Sequence, residues 1–298
     1  MIEPLTSRGY HQAERITRER AKSFHFASMA LGPETKRAAF AVYAFCRRCD
    51  DAVDEGSREG LSGRVAELRV QLDDAYRGAP HGDPVLAAFA ETVQLRAVPK
   101  EAFVELIRGM EQDLTKTRYR NWDELDEYCE LAAGTVGIMM ASVFGVRETR
   151  ALVHASALGR AMQLTNVLRD VKEDLEQHDR VYLPLDVLEA AGAGEAHLRD
   201  FARRGALDAS PAADAVRSVM REGARRARGL YRLADQGVPF IIPRTGRASV
   251  RLMRATYSEI LNVLEAQGFD SFRGRASTSR GQKVRVGVRA LLGLGVPS

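Results

Sequence analysis

Two stretches of the chain carry polar residues at helical spacing on an apolar background. In GRAMQLTNVLRDVKED, residues 159–174, Gln163, Asn166, Asp170 and Asp174 stand three, four and four apart. That spacing places them on one face of a single helix. Met162, Leu164, Val167, Leu168 and Val171 make the remainder apolar. A polar row on such a helix is costly to bury unless something binds it. Carboxylates one turn apart, preceded by an amide oxygen, suit a hard divalent cation such as Mg2+.

A second row exists to answer the first. In YAFCRRCDDAVD, residues 43–54, Tyr43, Arg47, Asp50 and Asp54 recur at four, three and four. Two acidic faces opposed across a dry core repel. They become sensible with metal ions and a polyanion between them, and Arg47 and Arg169 stand beside the carboxylates to serve the anion. Mg2+ is commonly held by one or two carboxylates together with substrate phosphates. The expected ligand is therefore a diphosphate. The metal would make that diphosphate a better leaving group. The carbocation left behind needs shelter from water, which an apolar helical cavity provides. No nucleophile–base arrangement competes: His25, His81, His154 and His178 lie in unrelated contexts, and no H-E-x-x-H occurs.

These rows must be held by helices, and the sequence reads as helical throughout. A short polar helix is expected over Tyr10–Arg20, followed by Ala21–Leu31 with Ser23 near its cap. Pro33 opens a long helix running to about Glu55, where Gly56 ends it. Leu61–Tyr76, Val85–Leu95 and Lys100–Lys116 follow. Asn121-Trp122-Asp123 caps a helix from Glu124 to Phe144. Its Gly134 and Gly137 cost helix stability, and mark either close packing or a break that admits a ligand. Arg150–Gln177 carries the first row. Pro184 starts a short helix, Pro211–Ala234 is a strongly basic one, and Pro239–Gln267 is the last long one. The tail from Arg273 is basic and ends in apolar Ala290-Leu291-Leu292, readable as a surface helix, a membrane contact or a partly disordered end. Strand signals are missing, as are repeats. One all-α domain over residues 1–298 is expected.

Composition agrees. The 298 residues are 45% hydrophobic, enough for a large core, with a net charge of +4 and a pI near 9.0. A mildly basic surface fits an anionic substrate or an acidic membrane and does not argue for nucleic acid. Cys46, Cys49 and Cys129 form neither a disulfide framework nor a zinc spacing; they read as buried small residues. The N-terminal stretch has no apolar signal region, and no run approaches a membrane span. The expected location is cytoplasmic, with peripheral membrane contact left open for release of a lipophilic product.

Lys22-Ser23-Phe24, Tyr43-Ala44-x-Cys46-Arg47 leading to Asp50-Asp51-x-x-Asp54, Tyr128-Cys129 with Ala133-Gly134-Thr135-Val136-Gly137, and Gln163-Leu164-Thr165-Asn166-Val167-Leu168-Arg169-Asp170-x-x-Glu173-Asp174, followed by Arg180-x-Tyr182-Leu183-Pro184, resemble the squalene/phytoene synthase family. The resemblance covers about residues 10 to 275 in the family's order. It implies a helical bundle of the isoprenoid synthase type with a central apolar cavity, and head-to-head condensation of two prenyl diphosphates through a cyclopropylcarbinyl diphosphate. It also implies several Mg2+ ions held by Asp50, Asp54, Asn166, Asp170 and Asp174. By the same resemblance Lys22, Ser23, Arg47, Gln163, Arg169, Tyr257 and Arg275 contact diphosphate. Phe24, Tyr43, Val136 and Leu164 line the cavity, and Gly137 and Tyr182 belong to the substrate site.

Two positions depart from the family pattern. Glu130 stands where many members have tyrosine, and a further anion beside a diphosphate is unfavourable unless it turns away or the second substrate is held differently. Ala21 stands where some members have Ser. For substrate length, Ser28 lies one turn beyond Phe24 and Ala27 beside it is small, so the cavity floor lacks bulk. This favours two geranylgeranyl diphosphates giving phytoene. Farnesyl diphosphate giving dehydrosqualene, or presqualene diphosphate in view of Glu130, are the alternatives. Squalene itself would need NADPH, for which no G-x-G-x-x-G after a strand is present. A prenyl elongase or terpene cyclase would share the acidic helices but not the tyrosine–arginine block or the Q-x-x-N row. A non-catalytic scaffold would leave the acidic rows solvated.

Overall fold

The structure, a computed structural model, describes residues 3–54, 60–79, 82–112, 115–277 and 280–291. Its helices are α1 (Leu5–Arg20), α2 (Lys22–Ser28), α3 (Pro33–Asp54), α4 (Leu61–Arg77), α5 (Pro84–Arg96), α6 (Lys100–Gln112) and α7 (Trp122–Cys129), then α8 (Thr135–Phe144) and α9 (Ala151–Arg169). There follow α10 (Val171–His178), α11 (Leu185–Ala190), α12 (Glu195–Arg204), α13 (Pro211–Asp235), α14 (Arg244–Ala266) and α15 (Arg280–Leu291). Among the described residues the extended pairings are two isolated bridges, Arg118 with Val181 and Val146 with Ile241. The fold is all-α, as the periodicity predicts.

Local chemistry starts several of these helices. Asp83 accepts from the Val85 and Leu86 amides at 2.8 and 3.1 Å, with Pro84 in the first helical position of α5. Asn121 caps α7 through Glu124 N at 2.9 Å. Ser210 caps α13 through Ala213 N at 3.2 Å, ahead of Pro211.

The core has two parts. One joins α3, α5 and α6 around the stacked rings of Phe45 and Phe89, whose centroids lie 4.1 Å apart, with Phe103 edge-on to both. The other joins α9 and α13 around Leu168, Ala224 and Tyr231. Ala132, Met162 and Tyr257 pack against both. The seam between the two parts is where the cavity lies.

α9 lies against α8 and the turn before it, Glu130–Gly134, with no room between the backbones. A Cβ on Gly137 would stand 2.1 Å from the Ala155 carbonyl oxygen, and one on Gly159 would stand 2.0 Å from that of Ala133. Of the two readings open for the glycine pair in the sequence, Gly137 takes close packing. Gly134 ends the π-helical turn Glu130–Gly134, and its nitrogen lies 3.0 Å from where a Cβ on Gly159 would stand.

Several boundaries differ from expectation. The helix expected over Glu124–Phe144 is interrupted by that π-turn, Glu130–Gly134, which widens the backbone next to the cavity. The helix expected over Arg150–Gln177 breaks at Asp170, whose φ of −103° and ψ of 14° leave the helical region. The ladder nevertheless continues through Asp170 N to Asn166 O at 2.9 Å and Asp174 N to Asp170 O at 2.8 Å. α2 begins at Lys22 with Ala21 in the cap position, so Ser23 is not its cap. α14 begins at Arg244 rather than Pro239, because Val238–Phe240 forms a 3-10 turn and Ile241 pairs with Val146. α6 stops at Gln112. The sequence reading missed α12, which buries only Leu198, Phe201 and Ala202. The expected end of α3 near Gly56, Asp113, and the apolar end at Leu292 lie outside the described residues. The tail before it does form a helix, α15, packed on α14.

Candidate active site

A cavity of about 360 Å3 runs along the seam. Asp50 from α3 and Gln163 and Asn166 from α9 line it together with Tyr43 and Tyr257. Tyr43 and Asp50 of one row and Gln163 and Asn166 of the other thus open onto one space. Arg47, Asp170 and Asp174 are not part of its lining, and Asp174 borders a separate small pocket with Arg180 and Tyr182. From Asn166, α9 continues along the cavity to Ala151, a distance of about 22 Å at the helical rise. Along that path the walls are apolar: Phe24, Val136, Met140, Phe144, Met162 and Met253. Phe24 packs on Tyr43 with ring centroids 5.5 Å apart.

The amides of the first row are oriented. Gln163 Nε2 donates to the Tyr128 hydroxyl at 3.3 Å, and Asn166 Nδ2 donates to Gln163 Oε1 at 3.5 Å. Asn166 Oδ1 is left buried with no hydrogen-bond partner. Tyr128 is itself stacked on Tyr182 at 4.9 Å and tilted against Tyr119 at 5.4 Å, with the hydroxyls of Tyr128 and Tyr182 3.1 Å apart.

Arginines clasp the carboxylates. Arg169 Nε donates to Asp170 Oδ1 at 2.8 Å, and Arg275 Nε donates to the same oxygen at 2.9 Å. Arg275 also lies 3.7 Å from Glu173. On α3, Arg47 pairs with Asp51 and lies 3.7 Å from Asp50. Burial, then the neighbouring Asp170, pushes the Asp174 carboxyl up to about 7. The Tyr43 phenol is pushed up by burial and then by Asp50.

This donor set fits a hard divalent cation. An unpartnered buried amide oxygen and a carboxyl whose charge is crowded by another carboxylate are both relieved by a bound ion. Among the described residues no three His, Cys, Asp or Glu side chains converge enough to hold a metal by themselves. An ion here would need a bridging anion between the rims, as the two arginine-flanked rows suggest.

Residues 17–282 match the squalene/phytoene synthase family. The chain belongs to that family. It is 36% identical over 310 residues to phytoene synthase 3, chloroplastic, of Zea mays, covering 100% of this chain and 70% of that protein. It is 34% identical over 287 residues to phytoene synthase 2, chloroplastic, of Solanum lycopersicum, covering 94% and 89%. A dehydrosqualene synthase in complex with ligand superposes with a TM-score of 0.86 at 27% identity over 97% of each chain. A squalene synthase from Alicyclobacillus acidocaldarius gives 0.78 at 26% identity, over 88% of this chain and 94% of that one.

In this squalene/phytoene synthase the remaining predicted site residues fall in different places. Val136 and Gly137 line the cavity. Leu164 does not. One position round from Gln163, it turns to the α13 side and is buried in the second part of the core. Ser28 is fully buried, its Oγ unpartnered, and is not part of the cavity lining. Tyr182 stands behind Tyr128, off the cavity wall, and reaches Gln163 only through it. Lys22 is exposed at the start of α2 with Ser23 half-buried beside it. Asp54 is the last described residue of α3, and its side chain lies outside the described residues. Glu130 turns away from the cavity mouth. Ser156 Oγ donates to it at 2.5 Å, and Arg160 Nε lies 3.7 Å from it.

Residues that sequence reasoning missed also line the cavity. Arg20, at the end of α1, borders both the cavity and an adjoining cleft holding Arg47, Arg48 and Asp51. His154 lies at the deep end, its Nδ1 2.8 Å from the Leu233 carbonyl. Nine residues, or two and a half turns, separate His154 from Gln163, so no helical spacing marks it in the sequence. The three cysteines are buried, and burial raises each thiol. No helix among the described residues is long and apolar enough to cross a membrane.

Proposed function

We propose that this chain condenses two geranylgeranyl diphosphates head to head, through a cyclopropylcarbinyl diphosphate, to phytoene. The observation that carries the reading is the single cavity: Asp50, Gln163 and Asn166 at one end, and some 22 Å of apolar wall along α9. A diphosphate belongs at the polar end and a long prenyl tail along the wall. The relatedness to curated phytoene synthases supports the same choice of substrate. The whole chain acts as one unit, since lining residues come from Arg20 to Tyr257.

Asp50, Asn166, Asp170 and Asp174, with Asp54 on the same helix as Asp50, would hold Mg2+. Bound there with the diphosphate, Mg2+ supplies neutralising charge that makes the diphosphate a leaving group. Arg47, Arg169 and Arg275 exchange their carboxylate partners for diphosphate oxygens, where charge-assisted hydrogen bonds are strong. Gln163, fixed by Tyr128, keeps the Asn166 oxygen aimed inward. Phe24, Val136 and Met162 exclude water from the cation. Each of the two steps releases one diphosphate and one proton, so no reductant is consumed.

The dehydrosqualene alternative has one observation in its favour. Ser28, expected to leave the floor empty, does not line the cavity, so the longer substrate rests on the depth along α9 instead. The test is incubation of purified protein with Mg2+ and geranylgeranyl diphosphate, without NADPH, and extraction of the hydrocarbon. Phytoene is expected, and none in the presence of EDTA. Turnover of farnesyl diphosphate alone would overturn the assignment of chain length, and no hydrocarbon from either would overturn the reaction.

A further inference from the structure

The deep end of the cavity lies beneath one tip of the bundle. Val146, Ala151, Val238 and Ile241 line it there. The Val146–Ile241 bridge closes that end, with Arg147 N donating to Phe240 O and Ile242 N to Gly145 O, each at 3.0 Å. The sequence neighbours of these lining residues face outward. Ile242 and Val153 are 51% and 63% exposed. Arg147, Arg150 and Arg244 are exposed beside them. Arg150 covers the Phe240 ring at 4.5 Å, and Arg247 donates to the Ile242 carbonyl at 3.2 Å.

Four arginines therefore frame two bare aliphatic side chains, one residue layer from the cavity wall. Acidic groups nearby are already engaged: Glu148 with Arg150 at 2.7 Å, and Asp235 with Arg254 at 3.1 Å. Arg147, Arg244 and Arg247 have no ion pair among the described residues. α15 packs along α14 in the direction of that end. It runs antiparallel to α14, with Arg285 at Glu259, Val286 on Ala255 and Gly287 at Leu252. Its later residues, including Val288 at 51% exposure, advance toward the tip.

We propose that this tip seats on an anionic lipid bilayer, placing the tail end of the cavity against the membrane. Headgroup phosphates meet Arg147, Arg244 and Arg247, and Ile242 and Val153 enter the boundary between headgroups and acyl chains. The inference rests on the proposed function for its purpose, since a hydrocarbon product needs a lipid acceptor. It rests on the geometry of the tip alone for its content.

The test is co-sedimentation with vesicles of phosphatidylcholine, alone or with phosphatidylglycerol. The wild-type protein is expected to sediment with the anionic vesicles and to be released by high salt. The R147Q/R244Q/I242S variant is expected to bind about tenfold more weakly or worse. A control with R203Q, R204Q and R225Q, exposed positions away from the tip, keeps its binding. If Ile242→Ser unsettles the fold by circular dichroism, the R147Q/R244Q double variant carries the same test. A wild type that ignores anionic vesicles, a tip variant that binds as well as wild type, or a tip buried in a dimer seen by sedimentation velocity would overturn the proposal. Turnover of detergent-dispersed substrate reads the condensation separately and is expected to survive the tip substitutions. Vesicle binding without any turnover would sink the proposed function and leave the membrane face standing.

Discussion

Arg275 reaches Asp170 across 105 residues of chain and places its Nε 2.9 Å from Oδ1, the oxygen that Arg169 also holds at 2.8 Å. One carboxylate is thus shared by two guanidinium groups, one from the end of α9 and one from the segment after α14. Arg275 is 56% exposed, and exposed ion pairs contribute at most about 1 kcal/mol to stability. Arg275→Gln is therefore expected to leave the thermal midpoint nearly unchanged. It is expected to raise KM for the prenyl diphosphate by about tenfold, the loss of one charge-assisted contact. Unchanged kinetics would remove Arg275 from the diphosphate site.

Asp174 makes a pH prediction. Its carboxyl is pushed up to about 7 in the folded protein, against an ordinary value of 3.8. Folding favours the protonated form, so this group's stabilising contribution is full in acid below its unfolded value. That contribution is lost as pH rises through about 7. Metal-free wild type should lose thermal stability across that window relative to Asp174→Asn, and the stabilisation by Mg2+ should grow across it. Parallel melting curves for the two proteins at every pH would contradict this.

Glu130 separates two accounts of the departure from the family pattern. Its carboxylate accepts from Ser156, and a Cβ on Gly134 would lie 2.7 Å from it. It is thus folded over the π-turn and held against α9. Glu130→Gln keeps an acceptor for Ser156, so KM is expected to stay within about twofold of wild type. Glu130→Ala strands the Ser156 hydroxyl and is expected to cost about 1–3 kcal/mol, read by urea unfolding. A lower KM in Glu130→Gln would mean that Glu130 repels the substrate after all.

The crossing of α9 over the π-turn and α8 leaves no room for an added methyl. Gly159→Ala brings a methyl to 2.0 Å from the Ala133 carbonyl oxygen. Backbone must move to admit it, at a cost of about 1–3 kcal/mol, and the wall carrying Val136 and Met140 moves with it. Reduced stability together with altered product distribution is expected from denaturation and product analysis. A variant as stable as wild type would show that the crossing is looser than described.

Much of this was legible in the sequence because helical spacing fixes which residues share a face. Asp50, Gln163 and Asn166 meet at one cavity as their three- and four-residue intervals predict. What spacing leaves open is which neighbour each face meets. Leu164 sits one position from Gln163, and only the docking of α13 decides that it packs away from the cavity. Ser28 fails for the same reason, since the placement of α2 on α14 sets its direction. Arg20 and His154 enter the site through tertiary packing, with no local pattern to mark them. The π-turn at Glu130–Gly134 has no signature in composition, and the break at Asp170 preserves the hydrogen bonds that periodicity reads.

The central claim is that the rows on α3 and α9 grip one ligand together. Its most direct test is the shift in melting temperature caused by Mg2+ with an unreactive geranylgeranyl thiodiphosphate, measured for wild type, Asp50→Asn and Asn166→Leu. Ligand well above its dissociation constant should raise the wild-type midpoint by several degrees, with little effect of either component alone, and each substitution should abolish most of the rise. A full wild-type shift in either variant would mean that the two rows do not share a ligand.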